Sequence, residues 1–434
     1  MGSTQNPTSF HISILSGVQG DTRRYRAFHL YEQLSLAGIS TTLGHITSSS
    51  VIKSIQNVDI LILQRVTWDP LIAQVIEEAR SHGAIILADV DDLVFRRDSF
   101  QWIDSPDFAD PIRAKLYNEN LERNLLTLQH CDGIIVSTNY LADEVKDLGK
   151  PVWIHRNAFS LEMFYYAKKV TQSNQPGNKN IIVGYASGTP THDRDFQLIQ
   201  PILFKLLGEY PQLHLNLIGH LNKKYDWGKF ADRIHYINFL PWRYLPRSLS
   251  QLSINLAPLR LDNPFSQSKS EIKYMEAALV KVPTIASPTE AFRYAISAGH
   301  NGFLAFSLDE WEVCLRKLIE DTALRHSIAN NAYQDVLQRY APWVRSEEAI
   351  GLINSILKTF RTDSIFLPFT KISSIDEPEL FAYLWINKKI EKHPNLIERG
   401  LYTLRARGLI TLLKEFWIFL RRSLSPIFPF KITR

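Results

Sequence analysis

Short apolar runs, each followed by a stretch with helical periodicity, recur along most of the chain. The first, His11 to Leu15 (HISIL), ends in Ser16-Gly17 and predicts a strand feeding a glycine turn. The loop from Gly17 through Gly20 leads into a helix predicted over Tyr25 to Leu36. Asp59 to Leu63 and Ala84 to Ala88 read as further strands, separated by a helix over Ile72 to His82. A helical region follows from Pro111 to Gln129, then a strand from Gly133 to Thr138, a helix from Tyr140 to Leu148 and an extended segment, Pro151 to Ile154. Continuously apolar strands that alternate with helices mark a parallel sheet buried on both faces. Right-handed crossovers wind such a sheet into a doubly wound domain.

Thr171 to Asn180 (TQSNQPGNKN) is polar and rich in turn formers, the composition of a linker. A second series begins directly after it. Strands are predicted at Ile181 to Tyr185, His214 to Ile218, Ile234 to Phe239, Ile254 to Pro258, Thr284 to Ala286 and Gly302 to Phe306. Helices are predicted at Phe196 to Glu209, Tyr244 to Gln251 and Ala291 to Ala298, with two more between Leu308 and Tyr340. The reading is an α/β protein of two doubly wound, Rossmann-like domains, residues 1–170 and 181–340, facing each other across a cleft. Residues 341–360 are expected to pack back on the first domain, and residues 361–434 to form a helical, basic extension.

Composition narrows the function classes. At 434 residues the chain is too long for one ordinary core. A formal charge of +5 is mild for that length and does not mark a nucleic-acid binder. The two cysteines, Cys131 and Cys314, lie far apart without metal-ligand spacing, which fits a reducing compartment and excludes a disulfide framework. The N-terminus lacks the basic-then-apolar pattern of a signal peptide, and no apolar run is long enough to span a bilayer. A cytoplasmic location is expected.

Candidate chemistry collects where strands end, since ligands of open α/β sheets bind at the carboxyl ends of the strands. Asp89-Val90-Asp91-Asp92 follows the Ala84 to Ala88 strand. Asp91 and Asp92 are candidate catalytic residues there; a metal-binding acid pair and a turn cap are the other readings of this run. The Gly17 to Gly20 loop follows the first strand but lacks the full dinucleotide fingerprint. The stretch from Leu256 to Ser287 reads as strand, polar loop, helix from near Ser268, and strand. A helix N-terminus offers unpaired N–H groups to phosphate. Lys269 and Lys273, four apart, would share a helix face with Glu276 three beyond. Cations for a diphosphate and a carboxylate for sugar hydroxyls would meet there. The same spacing also describes a solvated helix face, and it is the placement at a strand end facing the cleft that favours function.

These residues resemble a glycosyltransferase of the two-Rossmann-domain (GT-B) type, particularly the large retaining family called family 4 or group 1, over roughly residues 10 to 350. Asn157 to Phe164 (NAFSLEMF) is similar to the family's N-G-x-x-x-x-x-F segment, with Ala158 in place of glycine. Glu276 to Ser287 (EAALVKVPTIAS) is similar to its E-A-x-A-x-G-x-P-V-I-A segment. The family pairs that glutamate with another eight positions earlier, where this chain has Ser268. The block from Asn263 to Lys273, with Ser270 and Glu271, resembles a variant in which lysines replace the acidic start. The resemblance implies a metal-independent, retaining transfer of a sugar from a nucleotide-sugar to a glycan or lipid-linked acceptor, with no cofactor. Lys269 and Lys273 would neutralise the diphosphate, Glu276 would hold the ribose, and Asn263 or Glu271 could substitute for the missing acid. Gly17 and Gly20 match the first domain's glycine loop; Gly188, Thr189, His192 and Asp193 match the second domain's donor-facing loop. Arg194, Lys223 and Lys224 lie near it. A sugar-nucleotide 2-epimerase and a catalytically silent scaffold are the competing readings, the second drawing weight from Ser268.

Beyond about Phe360 the resemblance fades. Residues 396–422 (LIERGLYTLRARGLITLLKEFWIFLRR) mix leucines and aromatics with Arg399, Arg405, Arg407, Lys414, Arg421 and Arg422. That is the composition of an interfacial helix on anionic lipid at the inner face of a membrane. Docking on the protein's own first domain or on a second subunit is the alternative.

Overall fold

The computed structural model describes residues 10–48, 50–172, 180–221, 225–361, 367 and 396–424. Two six-stranded sheets carry the fold, and their neighbouring strands run parallel. The first has the order β2-β1-β3-β4-β5-β6. Its strands are β1 (His11–Ser16), β2 (Ser40–His45), β3 (Ile60–Gln64), β4 (Ile85–Val90), β5 (Gly133–Val136) and β6 (Val152–Ile154). The second has the order β12-β11-β10-β7-β8-β9. It comprises β7 (Ile181–Ser187), β8 (Leu213–Gly219), β9 (Ile234–Ile237), β10 (Ile254–Ala257), β11 (Thr284–Ala286) and β12 (Phe303–Leu304).

The period of two along β3 and β4 explains why helices cover both faces of the first sheet. Leu61, Leu63 and Ile86 point into one core with Ile72, Val75 and Ile76 of helix Pro70–Ser81. Ile60, Ile62, Ile85 and Leu87 point into the other with Leu30 and Leu34. Helix Pro342–Phe360 returns to this second face, placing Ile350, Ile353 and Leu357 in the same core.

Several elements differ from the sequence expectation. β2 was not foreseen, because Ser40-Thr41-Thr42 is polar; it is an edge strand, held by its ladder to β1 and by the His11 ring, which bonds Ser40 and Thr42. β4 runs on to Val90, so Asp89 lies inside the strand instead of after it. The helix expected from near Ser268 starts only at Ile272 and runs Ile272–Leu279; a separate short helix, Pro264–Gln267, precedes it, with Lys269 in the loop between them. Lys269 and Lys273 therefore do not share a helix face. The helix after β1 begins at Gly20, not Tyr25, and includes wider, π-type turns from Arg24 to Phe28. Thr171 and Gln172 of the expected linker end helix Leu161–Gln172, while 173–179 lie outside the described residues.

The C-terminal helix Leu396–Leu424 is broken at Gly408, where φ is 80°. Tyr402 and Ala406 enter the first domain's core, and the Tyr402 hydroxyl donates to Asp69 Oδ2 at 2.7 Å. Arg407 donates to Thr67 Oγ1 at 2.8 Å. The side chains of Arg405, Trp417, Phe419, Arg421 and Arg422 lie outside the description.

Candidate active site

In the first sheet the strand order reverses between β1 and β3, and in the second between β7 and β10. Loops diverge at such points and leave a crevice at the carboxyl ends of the strands. Both crevices open on one cavity of ≈ 260 Å³. Two glycines shape the loops around it. A Cβ on Gly17 would come within 2.4 Å of the Arg65 carbonyl oxygen, so the β1 loop can lie against the β3 loop only with glycine there. At Gly219 φ is +93°, and a Cβ would meet the Ser187 carbonyl oxygen at 2.1 Å.

The first domain contributes the two aspartates. Asp91 and Asp92 line the cavity and flank Arg65, whose Nη1 lies 3.3 Å and 3.4 Å from their carboxylates. Arg65 holds a left-handed φ of 46°, uncommon for a residue with a side chain and concentrated at functional sites. Burial pushes Asp91 up to about 6, against the pull of Arg65. For Asp92 burial also favours the neutral form, but Lys269 and Arg65 outweigh it and hold the carboxyl below its ordinary value. Asp89 takes no part. Arg26 donates to both of its oxygens, at 3.0 Å and 2.7 Å, and both side chains are buried. That pairing removes Asp89 from the metal-binding acid pair considered for Asp89 and Asp91.

The second domain contributes the cations. Lys269 Nζ reaches across to Asp92 Oδ1 at 2.8 Å. Lys273, the second residue of its helix, donates to the Ala186 carbonyl, and burial lowers it to about 8 while Glu276 opposes. Glu276 lines the cavity and accepts a hydrogen bond from the Tyr25 hydroxyl of the first domain; burial raises its pKa. Ser270 lines it too, its hydroxyl accepting from Asn157 Nδ2 at 2.8 Å. Gly188, Thr189 and His192 form the wall beyond β7.

Four predicted residues stand elsewhere. Gly17 and Gly20 shape the β1 loop without lining the cavity, which Asp21, Thr22 and Tyr25 do instead. Asn263 is a clasp: its Oδ1 caps the Phe265 and Ser266 N–H groups, and its Nδ2 donates to the Trp102 carbonyl at 2.8 Å. Glu271 is buried, accepts from the Tyr340 hydroxyl at 3.0 Å and lies 3.9 Å from Arg156. Neither fits as the substitute for the missing acid. Ser268, at the position of that acid, is itself buried and donates to the Phe265 carbonyl. Arg194 pairs with Asp104 at 3.1 Å, and Lys223 and Lys224 lie outside the described residues.

The architecture has solved counterparts. Sucrose-phosphate synthase from Thermosynechococcus elongatus superposes with a TM-score of 0.55 at 14% identity, covering 81% of this chain and 100% of that one. A glycosyltransferase from Rickettsia africae gives 0.54 at 11% identity, with 81% and 99% covered. Anabaena HepE, solved in complex with UDP, gives 0.53 at 14%, with 80% and 100% covered. The fold is that of the GT-B glycosyltransferases. Residues 197–351, most of the second domain and part of the returning helix, also match the family model described as Glycosyl transferase-like. No curated protein sequence matches the chain.

In this GT-B frame, sequence reasoning missed Tyr25, Arg65 and the aromatic wall at Phe239 and Trp242, and named Asn157 only as the start of a family-like segment. Arg65 was the most accessible of these. It directly follows β3 at the switch point, the position that had already singled out the other strand-end residues.

Proposed function

We propose that the protein moves a sugar from a nucleoside-diphosphate sugar to a hydroxyl of a glycan or lipid-linked acceptor. What carries the reading is the meeting, in one cavity between facing switch points, of Lys269, Lys273 and Glu276 from the second domain with Asp91 and Asp92 from the first. The diphosphate would lie over Lys269, Lys273 and the Ser187 to Thr189 turn, with the ribose at Glu276. The anomeric C–O bond to the diphosphate breaks, the acceptor oxygen bonds to the anomeric carbon, and the proton of the acceptor hydroxyl, oriented by Asp91, passes to the departing diphosphate oxygen. Fixed cations aimed at the leaving group supply the larger share of such catalysis. Here two lysines take that role in place of a divalent ion, and the resemblance to family 4 supports retention at the anomeric carbon. UDP in the solved HepE complex makes uridine donors the first to try. Release of nucleoside diphosphate from a panel of UDP- and GDP-sugars tests the reading. Lys269→Ala and Glu276→Gln should lose it while still folding with a cooperative melting transition; full turnover in either variant would refute the site.

We further propose that the C-terminal helix brings the enzyme to an anionic membrane surface. No helix among the described residues is long and apolar enough to cross a membrane. The outer face of this helix nevertheless exposes Leu409, Ile410, Leu413 and Phe416, with Lys414 among them. Apolar and basic groups on one face suit lipid headgroups. Co-sedimentation with vesicles containing phosphatidylserine should be lost in Leu413→Glu/Phe416→Glu; equal binding by both proteins would end the idea.

A further inference from the structure

The loop after β7 holds a pair of side chains with no part in the chemistry above. His192 immediately precedes helix Asp193–Gln197, and its Nδ1 lies 2.9 Å from Asp195 Oδ2. Asp195 is buried. Its other oxygen accepts from the Arg260 backbone N–H at 2.9 Å and the Ser266 hydroxyl at 3.3 Å, with Arg260 Nε at 3.9 Å. A carboxylate held on so many sides is a fixed acceptor, and it makes Nδ1 the protonated nitrogen of a neutral imidazole. Nε2 keeps its lone pair. It has no hydrogen-bond partner among the described residues, and the ring lines the cavity with Lys269 and Lys273.

We propose that His192, held in this tautomer by Asp195, takes up a proton as the donor diphosphate enters and then donates Nε2–H to a phosphate oxygen. Asp195 is then a positioning residue, and His192 a third cation of the diphosphate seat, present only when the seat is filled. This inference deepens the glycosyl-transfer reading and rests on it.

The charges around the ring explain why uptake waits for the ligand. Lys269 faces it from the loop before helix Ile272–Leu279, Lys273 from that helix, Asp195 from its own helix, and Asp92 from across the cleft. Burial first, and then the two lysines, keep the imidazole below its ordinary pKa, against its hydrogen bond to Asp195. A diphosphate brings opposite charge to the same place and reverses the balance. Linkage fixes the sign: affinity rises as pH falls through the pKa of the bound state, and levels off below that of the free state.

Calorimetric titration with UDP at neutral pH, in buffers of different ionisation heat, reads the protons taken up per nucleotide. Uptake by the wild type should exceed that by His192→Gln by several tenths of a proton, and by about one at most, since one imidazole titrates. Subtracting the two cancels the nucleotide's own phosphate and Lys273. Asp195→Asn should bind UDP with reduced uptake. In the wild type itself, the NMR titration of the His192 ring should move to higher pH by about one unit or more when UDP is added. Equal uptake by wild type and His192→Gln, or an unmoved titration, would overturn the inference and leave the transferase reading standing. A wild type that binds neither UDP nor GDP would remove both.

Discussion

Asp91 and Asp92 are neighbours in sequence yet sit in different electrostatic settings. Lys269 and Arg65 keep Asp92 ionised despite its burial, whereas burial leaves Asp91 titrating at about 6. An Asp91 carboxylate that accepts the acceptor's hydroxyl is competent above its pKa and lost below it, so kcat/KM should fall as pH drops through about 6. Asp91→Asn should be slower and lack that limb; an acid limb unchanged in the variant would remove Asp91 from the role. At this scale the sequence disclosed residues whose placement follows from one strand end: Asp91, Asp92 and Gly188. It did not disclose those whose meaning depends on a distant partner. Tyr25 gains its role from Glu276, 251 positions on; Lys269 stands out in the sequence, but its contact with Asp92 across 177 positions does not. Asp195 was a helix-start acid like any other until Arg260 and Ser266 closed around it.

Among elements, the strongly apolar strands β3, β4, β7, β8 and β10 were legible because both faces are buried and their composition says so. β2 was not, since an edge strand need not be apolar. The break at 268–271 was hidden for a local reason. Asn263 caps a four-residue helix with its own side chain, and the chain must restart at Ile272. Lys269 reaches Asp92 from that interruption. The C-terminal helix packs an inner face on the first domain, the alternative raised from its sequence, and leaves an outer face exposed. Tyr402 is the anchor, 8% exposed and bonded to the Asp69 side chain that also caps helix Pro70–Ser81. Truncating it removes a packed aromatic ring, so Tyr402→Ala should cost about 3–5 kcal/mol in urea denaturation. A loss below roughly 1 kcal/mol, the size of an ordinary surface change, would show that the helix does not depend on this contact.

The whole molecule is two crevices brought face to face, and its site exists only in their combination. Glu276 and Lys269 are bonded across the cleft to Tyr25 and Asp92, and Arg260 donates to Asp104 at 3.0 Å across the same divide. In the proposed reaction, a ribose at Glu276 would compete with the Tyr25 hydroxyl, and a diphosphate at Lys269 with Asp92. Donor binding and the fit between the domains would then be one equilibrium, as in clefts that close to exclude water. The two-domain plan was readable from two successive strand–helix series. The alignment of their switch points was not, because it depends on contacts between halves of the chain more than a hundred residues apart. The most direct measurement is release of nucleoside diphosphate from UDP- and GDP-sugars by the purified wild type beside Lys269→Ala. Release by the wild type, lowered ~10²–10³-fold in the variant as for loss of a fixed charge-stabilising group, is the predicted result. Equal release by the two proteins, or none by the wild type with any donor, would contradict the account.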